Sequence, residues 1–470
     1  MTLAAPAPIA VPIDVRAGAS KSYPPGPSFL PRLVARRFFR SLATTSMTEA
    51  AQQFGDLVHF KAFGSHVYQI NHPSLIEDFF LKNASKHRRG IVMQRAKTIF
   101  GEGLLTSEEP LHMRQRRLVQ PAFLRQRIDT YGEVIGHNAS VLSSKWQSGT
   151  VIDLHIEMLE LALRIVGKCL FDLDVQSRAE VMKVSTAVDA FMGFIPLALL
   201  PFSTFVQRLP IPAMKRIRSG KAELDQMIYT IIDERRRSPG DRGDLLSMLL
   251  EATDVDADGR GMSDQQVHDE CLTIMLAGHE TTANALSFAL WLLSQHQEIQ
   301  QNLQEEASSV LGDRMATAAD YPNLPYATAI FSEALRLYPP VWVTARTCEI
   351  PYEIEGYTIP RGAVLLAPQF VVHRDPRFYP NPLQFDPERF SPRNRELNKS
   401  RARFAFYPFA GGSRQCIGEG LAWMEGVLSL ATIARDYRLA PLPGASSQIA
   451  LDPTISLRPK DGVPLLVERR

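Results

Sequence analysis

Cys416 lies in the segment Phe409-Ala-Gly-Gly-Ser-Arg-Gln-Cys-Ile-Gly418, which sets a thiol beside an arginine and among glycines. Gly411 and Gly412 let the backbone approach something flat or bulky. Arg414 supplies a cation two residues before the sulfur, and the run from about Glu419 to Tyr437 reads as a helix. Cys416 therefore stands at a helix N-terminus, where backbone N–H groups and the helix dipole favour thiolate over thiol. A thiolate presented in this way suits an axial ligand to iron. The other three cysteines, Cys169, Cys271 and Cys348, form no CxxC pair and have no histidine at zinc-ligand spacing. They read as small buried hydrophobes, and neither a disulfide framework nor a structural zinc is expected.

A second chemical segment, Ala277-Gly-His-Glu-Thr-Thr282, sits in the middle of a long helix pattern. Ser263 and Gln266 make a capping box at its start, and no proline follows until well past Ile299. A helix over 263–299 would be roughly 55 Å long at 1.5 Å per residue. Val267, Cys271, Ile274, Leu286, Leu290 and Leu293 follow helical spacing. Glycine and paired threonines are poor helix formers, and a carboxylate beside a buried stripe is costly. Either the threonines bond back to helix carbonyls over a solvated patch, or the helix is opened locally to face a site.

The elements that must position these segments are mostly helical. Helix patterns fill the chain from about Pro73 to Val310, with breaks near Gly101–Gly103, Pro121, Gly149, Pro196–Pro212 and Ser238–Gly243. Strand-like runs precede them at Leu57–Phe63 and His66–Ile70, joined at Gly64-Ser65. Short strands are expected again over Glu349–Ala367, with turns at Gly356, Pro360 and Gly362, and over Gln448–Val467. The expected class is mainly α, a large helical bundle with small β-sheets. Residues 1–27 read as an extended tail ending in the proline hinge Tyr23-Pro-Pro-Gly-Pro27, and 28–470 as one domain.

The 470 residues are 45% apolar and 22% charged, with a net charge of +2, which excludes a wholly disordered or fibrous chain. No large cationic excess exists to neutralise phosphates, so nucleic-acid binding is not expected. No apolar run reaches the ~18 residues a membrane span needs, and no basic n-region precedes Ala4–Ile13, so a cytoplasmic protein without a transmembrane anchor is expected.

Phe409, Gly412, Arg414, Cys416 and Gly418 fill the pattern Phe-x-x-Gly-x-Arg-x-Cys-x-Gly, which resembles the haem-binding signature of the cytochromes P450. Three further segments resemble that family's motifs in its order: Ala277–Thr282 its oxygen-activating stretch, Glu333-Ala-Leu-Arg336 its Glu-x-x-Arg motif, and Pro387-Glu-Arg-Phe390 the segment whose Arg389 completes the ion network. The resemblance runs from about Pro24 to the C-terminus. It implies the P450 fold, with haem b (iron protoporphyrin IX) between the long central helix and the Cys loop. Cys416 would ligate the iron, Phe409 and the loop to Gly418 would pack at the sulfur, and Ala277 would leave room for O₂. His112, Arg116, Arg346 and Arg414 would hold the haem propionates. Glu280 and Thr281 would deliver protons, while Glu333, Arg336 and Arg389 would form a structural network.

The resemblance further implies a monooxygenase that hydroxylates or epoxidises a hydrophobic small molecule: a fatty acid, a terpenoid or steroid, or an aromatic natural product. Retention of Glu280-Thr281 weighs against an isomerase, dehydratase or peroxygenase, and the lack of an output domain against a non-catalytic haem sensor. Phe191, Phe194, Trp342, Val343 and Ile455 are apolar residues in the family's substrate zones. Electrons would come from NAD(P)H only indirectly, through a ferredoxin or flavodoxin with its reductase, steered by Arg114, Arg117, Arg125, Lys399, Arg401 and Arg403. A monomer is expected.

Overall fold

A computed structural model describes residues 23–27, 43–62, 64–174, 178–198, 205, 207, 209–253 and 261–470. Residues 1–22 of the expected tail lie outside them. The longer helices are α1 (Ala43–Phe54), α2 (Ile91–Phe100), α3 (Leu111–Val119), α4 (Arg125–Ser143), α5 (Leu154–Phe171), α6 (Arg178–Met192), α7 (Pro212–Arg237), α8 (Leu245–Glu251), α9 (Asp264–Gln295), α10 (Gln297–Leu311), α11 (Pro325–Leu337) and α12 (Glu419–Asp436). No helix among the described residues is long and apolar enough to cross a membrane.

The bundle is built around α9. Ser263 Oγ accepts from Gln266 N–H, and the Gln266 side chain accepts from Ser263 N–H, the reciprocal cap expected of those residue types. Almost every side chain of α9 is buried, polar ones included, so the helix is enclosed rather than amphipathic. It packs against α5, α7, α11 and α12, and α12 packs in turn against α4 and α10. The expected run to Ile299 is corrected at its end. His296 leaves the helical region (φ −128°, ψ 78°), and its ring Nδ1 reaches Leu292 O at 2.8 Å, closing α9 before α10 begins. The 32-residue helix is about 48 Å long.

Four small sheets flank the bundle. In the largest, β1 (Leu57–Ala62), β2 (Ser65–Ile70), β8 (Val364–Ala367), β5 (Thr344–Cys348) and β3 (His87–Arg89) lie in that order, with β2 and β8 parallel and the other neighbours antiparallel. A three-stranded sheet orders β4 (Thr150–Asp153), β12 (Pro464–Arg469) and β9 (Tyr437–Pro441). Hairpins pair β6 (Tyr352–Ile354) with β7 (Tyr357–Ile359), and β10 (Leu451–Pro453) with β11 (Leu457–Pro459). Strands β3 and β4 were not expected from the sequence. Each is only three or four residues long and is stabilised by a partner far away in the chain. The proline hinge docks on β1: His59 N–H donates to Pro25 O at 3.0 Å, and the Tyr23 ring stacks on His59 at 4.4 Å.

Candidate functional site

The long helix and the Cys loop each carry solvent-reachable residues amid buried neighbours. Ala277 is exposed and Gly278 and Thr281 are half-buried, in a helix whose neighbouring side chains are closed off. Ala277 and Thr281, at i and i+4, share one helix face, whereas Gly278 lets α9 pack closely on Val166 of α5, 3.0 Å from where a Cβ would stand. Cys416 is also solvent-reachable, whereas Cys169, Cys271 and Cys348 are buried as expected. The helix is not unwound at this point: α9 is continuous through Ala277–Thr282, and Thr281 Oγ donates to Ala277 O at 2.5 Å. The local opening considered from the sequence is thus an opening of packing, not of backbone.

The Cys loop is held by its own backbone. Cys416 N–H donates to Phe409 O at 3.0 Å, Gln415 N–H donates to Gly412 O, and Gly418 caps α12. The Phe409 ring packs against Trp423, centroids 5.6 Å apart. Gly412 has φ +73°, and a Cβ there would lie 2.3 Å from Phe80 O, so only glycine lets the loop pass that close to the neighbouring chain. Desolvation by the packed loop pushes the Cys416 thiol up to about 11. The Gly418 N–H pulls it down, Glu419 pushes it up and Arg116 lowers it. Coordination to a metal ion would ionise this thiol outright.

Beside the loop the chain collects cations. Arg89 and Arg346 are register partners across β3 and β5. Arg414 Nη1 donates to Ser107 O at 2.8 Å and its Nη2 to Glu108 Oε2 at 3.0 Å. Burial, Arg346 and Arg414 together hold the Arg89 guanidinium well below its usual range. Burial followed by Arg414 lowers Arg346 to about 10. Arg89 Nη2 donates to Leu104 O at 2.8 Å, but its buried Nε has no hydrogen-bond partner among the described residues. His112 is buried with its Nδ1 2.9 Å from Glu109 Oε1. Desolvation and Arg414 lower it to about 4, so it serves as a neutral donor rather than a cation. Arg116 Nη1 donates to Gln415 O at 2.8 Å, directly beneath the Cys loop. Three guanidiniums gathered on two glutamates leave positive charge that calls for an anionic ligand. With the thiol of Cys416 and the open Ala277 face, this donor set fits haem, whose two propionates would meet Arg89, Arg346, Arg414, Arg116 and His112. Arg89 was missed from the sequence. Its only signal there is the run Lys86-His-Arg-Arg89 ahead of Gly90.

Behind the loop, Glu333 and Arg336 are fully buried and paired through two 2.7 Å hydrogen bonds. Arg389 Nε lies 3.4 Å from Glu333 Oε1, and Asp386 N–H donates to the same oxygen at 3.0 Å. Burial pushes the Glu333 carboxyl up, and Arg336, the Asp386 N–H and Arg389 pull it back. Arg336 Nη1 also donates to His373 O at 2.8 Å, while His373 Nε2 accepts from Tyr407 N–H at 3.0 Å. The network is thereby tied to the strand of chain that leads into Phe409 and Cys416.

Glu280 is buried, and its Oε1 accepts from Ser456 Oγ at 2.6 Å. Asn284, one turn further along α9, donates from Nδ2 to the same Ser456 Oγ at 3.1 Å. Neither Ser456 nor Asn284 was singled out from the sequence. Asn284, at i+4 from Glu280 within an apolar stripe, carried a signal, whereas Ser456 carried none. Among the expected substrate residues, Ile455 and Val343 are half-buried. Trp342 is buried under the large sheet with its Nε1–H donating to Thr454 O at 3.1 Å, and Phe194 is buried in the main core. Trp342 and Phe194 therefore pack rather than present a surface. Phe191 lies in α6, and its side chain is outside the described residues.

Comparison with known proteins gives one consistent answer. The family profile described as Cytochrome P450 matches residues 24–466. The chain is 39% identical over 405 residues to cyclooctatin synthase of Streptomyces melanosporofaciens, covering 86% of each protein. It is 34% identical over 395 residues to cyclooctat-9-en-7-ol 5-monooxygenase of the same organism, covering 83% of this chain and 84% of that one. It is 34% identical over 392 residues to pentalenene oxygenase of Streptomyces avermitilis, covering 83% of this chain and 86% of that one. The crystal structure of the cytochrome P450DA haem domain superimposes with a TM-score of 0.84 at 25% identity, covering 95% of this chain and 97% of that one.

Proposed function

This chain belongs to the cytochrome P450 family and is a P450 monooxygenase, and we propose that its substrate is a polycyclic terpenoid skeleton, mostly hydrocarbon, that it hydroxylates. The observation that carries the proposal is the match over more than four-fifths of the chain to enzymes whose names specify a cyclic olefinic alcohol and pentalenene. Of the other classes expected from the sequence, a fatty acid would want a carboxylate anchor. Lys97 is instead paired with Glu102 at 2.8 Å, and Arg95 donates to Ala198 O at 2.5 Å. The half-buried apolar residues Val343 and Ile455 suit a hydrocarbon.

Haem, when bound, supplies iron at which dioxygen is activated, and a thiolate ligand favours O–O cleavage. Cys416 Sγ would be that ligand, held by the Gly418 N–H and the loop. Arg89, Arg346, Arg414, Arg116 and His112 would bind the propionates and fix the orientation of the macrocycle. Ala277, with only a methyl group on the exposed face of α9, would leave room for dioxygen. Thr281 Oγ is the hydroxyl on that face, and Glu280 is the acid next to it in the chain. Together they would hold and pass protons. Electrons would arrive from NAD(P)H through a ferredoxin or flavodoxin with its reductase. Arg117, Arg125 and Arg403, exposed on the Cys-loop side of the chain, would steer the acidic carrier.

The test is reconstitution of the holoenzyme with NADPH, a ferredoxin and its reductase, offered pentalenene, a steroid and palmitic acid. A mono-oxygenated pentalenene product is expected. Turnover confined to palmitic acid would overturn the substrate class. The reduced, CO-bound protein should show a strongly red-shifted Soret band that Cys416→Ala abolishes, and its persistence in that variant would remove Cys416 as the ligand.

A further inference from the structure

The residue that orients Glu280 comes from the far end of the chain. Ser456 sits in the turn between β10 and β11, buried, 176 residues from Glu280 in sequence. Its hydroxyl accepts from Asn284 Nδ2 at 3.1 Å and donates to Glu280 Oε1 at 2.6 Å. The Asn284 amide N–H can only donate, so toward it Ser456 Oγ is the acceptor and its own proton stays available for the Glu280 carboxyl. The turn itself cannot drift. Leu457 N–H donates to Pro340 O at 2.8 Å, Thr454 N–H donates to Ser456 O at 3.1 Å, and Trp342 Nε1–H donates to Thr454 O at 3.1 Å. Trp342, buried and short of any open surface, thus acquires a role as a brace for this turn.

We propose that Ser456 is the positioning residue for Glu280: with Asn284 behind it, its hydroxyl fixes which way the proton-delivering carboxyl faces. The proposal rests on the reading of Glu280 as a proton carrier, and it assigns that carrier's geometry to the C-terminal β-turn. Without the Ser456 hydroxyl, the carboxyl at a closed-off position of α9 loses this donor and turns toward other partners.

Infrared difference spectra of the ferric holoenzyme read the carboxyl directly, the Glu280 band being the one that Glu280→Gln removes. Ser456→Ala should shift that band, Ser456→Thr should leave it in place, and Asn284→Leu should shift it in the same direction as Ser456→Ala by a smaller amount. Product formed per NADPH consumed, in the reconstituted assay above, should fall about fivefold in Ser456→Ala with KM little changed, and Ser456→Thr should restore it. An unmoved band in Ser456→Ala overturns the proposal. Should Ser456→Ala fail to retain haem, Asn284→Leu, which leaves the turn intact, decides by the same band. A band that moves while neither Ser456→Ala nor Glu280→Gln alters product per NADPH keeps the positioning role and overturns Glu280 as the proton carrier.

Discussion

Arg89 and Arg346 face each other as register partners across the antiparallel strands β3 and β5, so two guanidiniums project from the same face of the sheet. Like charges directly opposite are destabilising, and both are buried enough for their proton affinities to fall. A protein keeps such a pair when an anion is meant to lie between them, and a haem propionate is the anion this site would receive.

Arg89→Gln should therefore weaken haem retention while leaving the haem-free protein no less stable. A hydrogen bond to a charged group is worth about 1.5–3 kcal/mol, or a roughly ten- to hundredfold faster transfer of haem to an acceptor protein. The measurement is that transfer rate, with Arg346→Gln as the companion. An unchanged rate in Arg89→Gln would take Arg89 out of the propionate site.

Glu333→Gln should prevent accumulation of holoprotein rather than slow its chemistry. Arg336 is fully buried, and among the described residues its close carboxylate is Glu333 at 2.7 Å. Stranding that charge costs about 3–5 kcal/mol. Because Arg336 also holds His373 O, whose ring accepts from Tyr407 N–H, the damage should reach the Cys loop. The check is urea unfolding together with haem content. Full haem loading at wild-type stability would contradict this account.

Ala410 has φ +61°, a left-handed conformation in the middle of the haem-binding signature. For a residue with a Cβ this is strained by about 1 kcal/mol. Ala410→Gly should raise thermal stability slightly, while Gly412→Ala, two residues on, should collapse the loop because its Cβ would meet Phe80 O. A destabilised Ala410→Gly would mean that the methyl packs better than its backbone is strained.

Acid should unfold the protein through its buried imidazoles. Burial and Arg336 push His373 from its ordinary 6.5 down to about 3. Between those values only the unfolded chain carries the proton, so this stability is fully present above about pH 6.5 and is lost as pH falls toward 3. Its full extent is about 5 kcal/mol at 1.36 kcal/mol per unit. His59, His87 and His112, each lowered to about 4, add to the same window. Unfolding midpoints measured from pH 7.5 to 4 should fall steadily, and His373→Gln should flatten the slope. A slope unchanged in that variant would exclude His373 as a contributor.

The local chemistry was legible in the chain because it is carried by contiguous residues. The Cys loop, the capping box of Ser263 and Gln266, the Glu-x-x-Arg pair and the hairpin at Gly64-Ser65 each depend on neighbours a few positions apart, so residue type and spacing determine them. The partnerships across the fold were not legible. Nothing local sets Arg89 opposite Arg346, closes β4 onto β12, or brings Ser456 to Glu280, since each joins segments separated by many intervening residues and is stabilised only once the bundle has packed. The same reason applies to the charge balance at Cys416. Position at a helix N-terminus and the nearby Arg116 favour a thiolate, while packing of the loop pushes the thiol up, a balance only the fold sets. Sequence thus determined which groups are present and on which elements. Tertiary structure alone decided which of them share a desolvated space, and there proximity and lost water set both charge state and role.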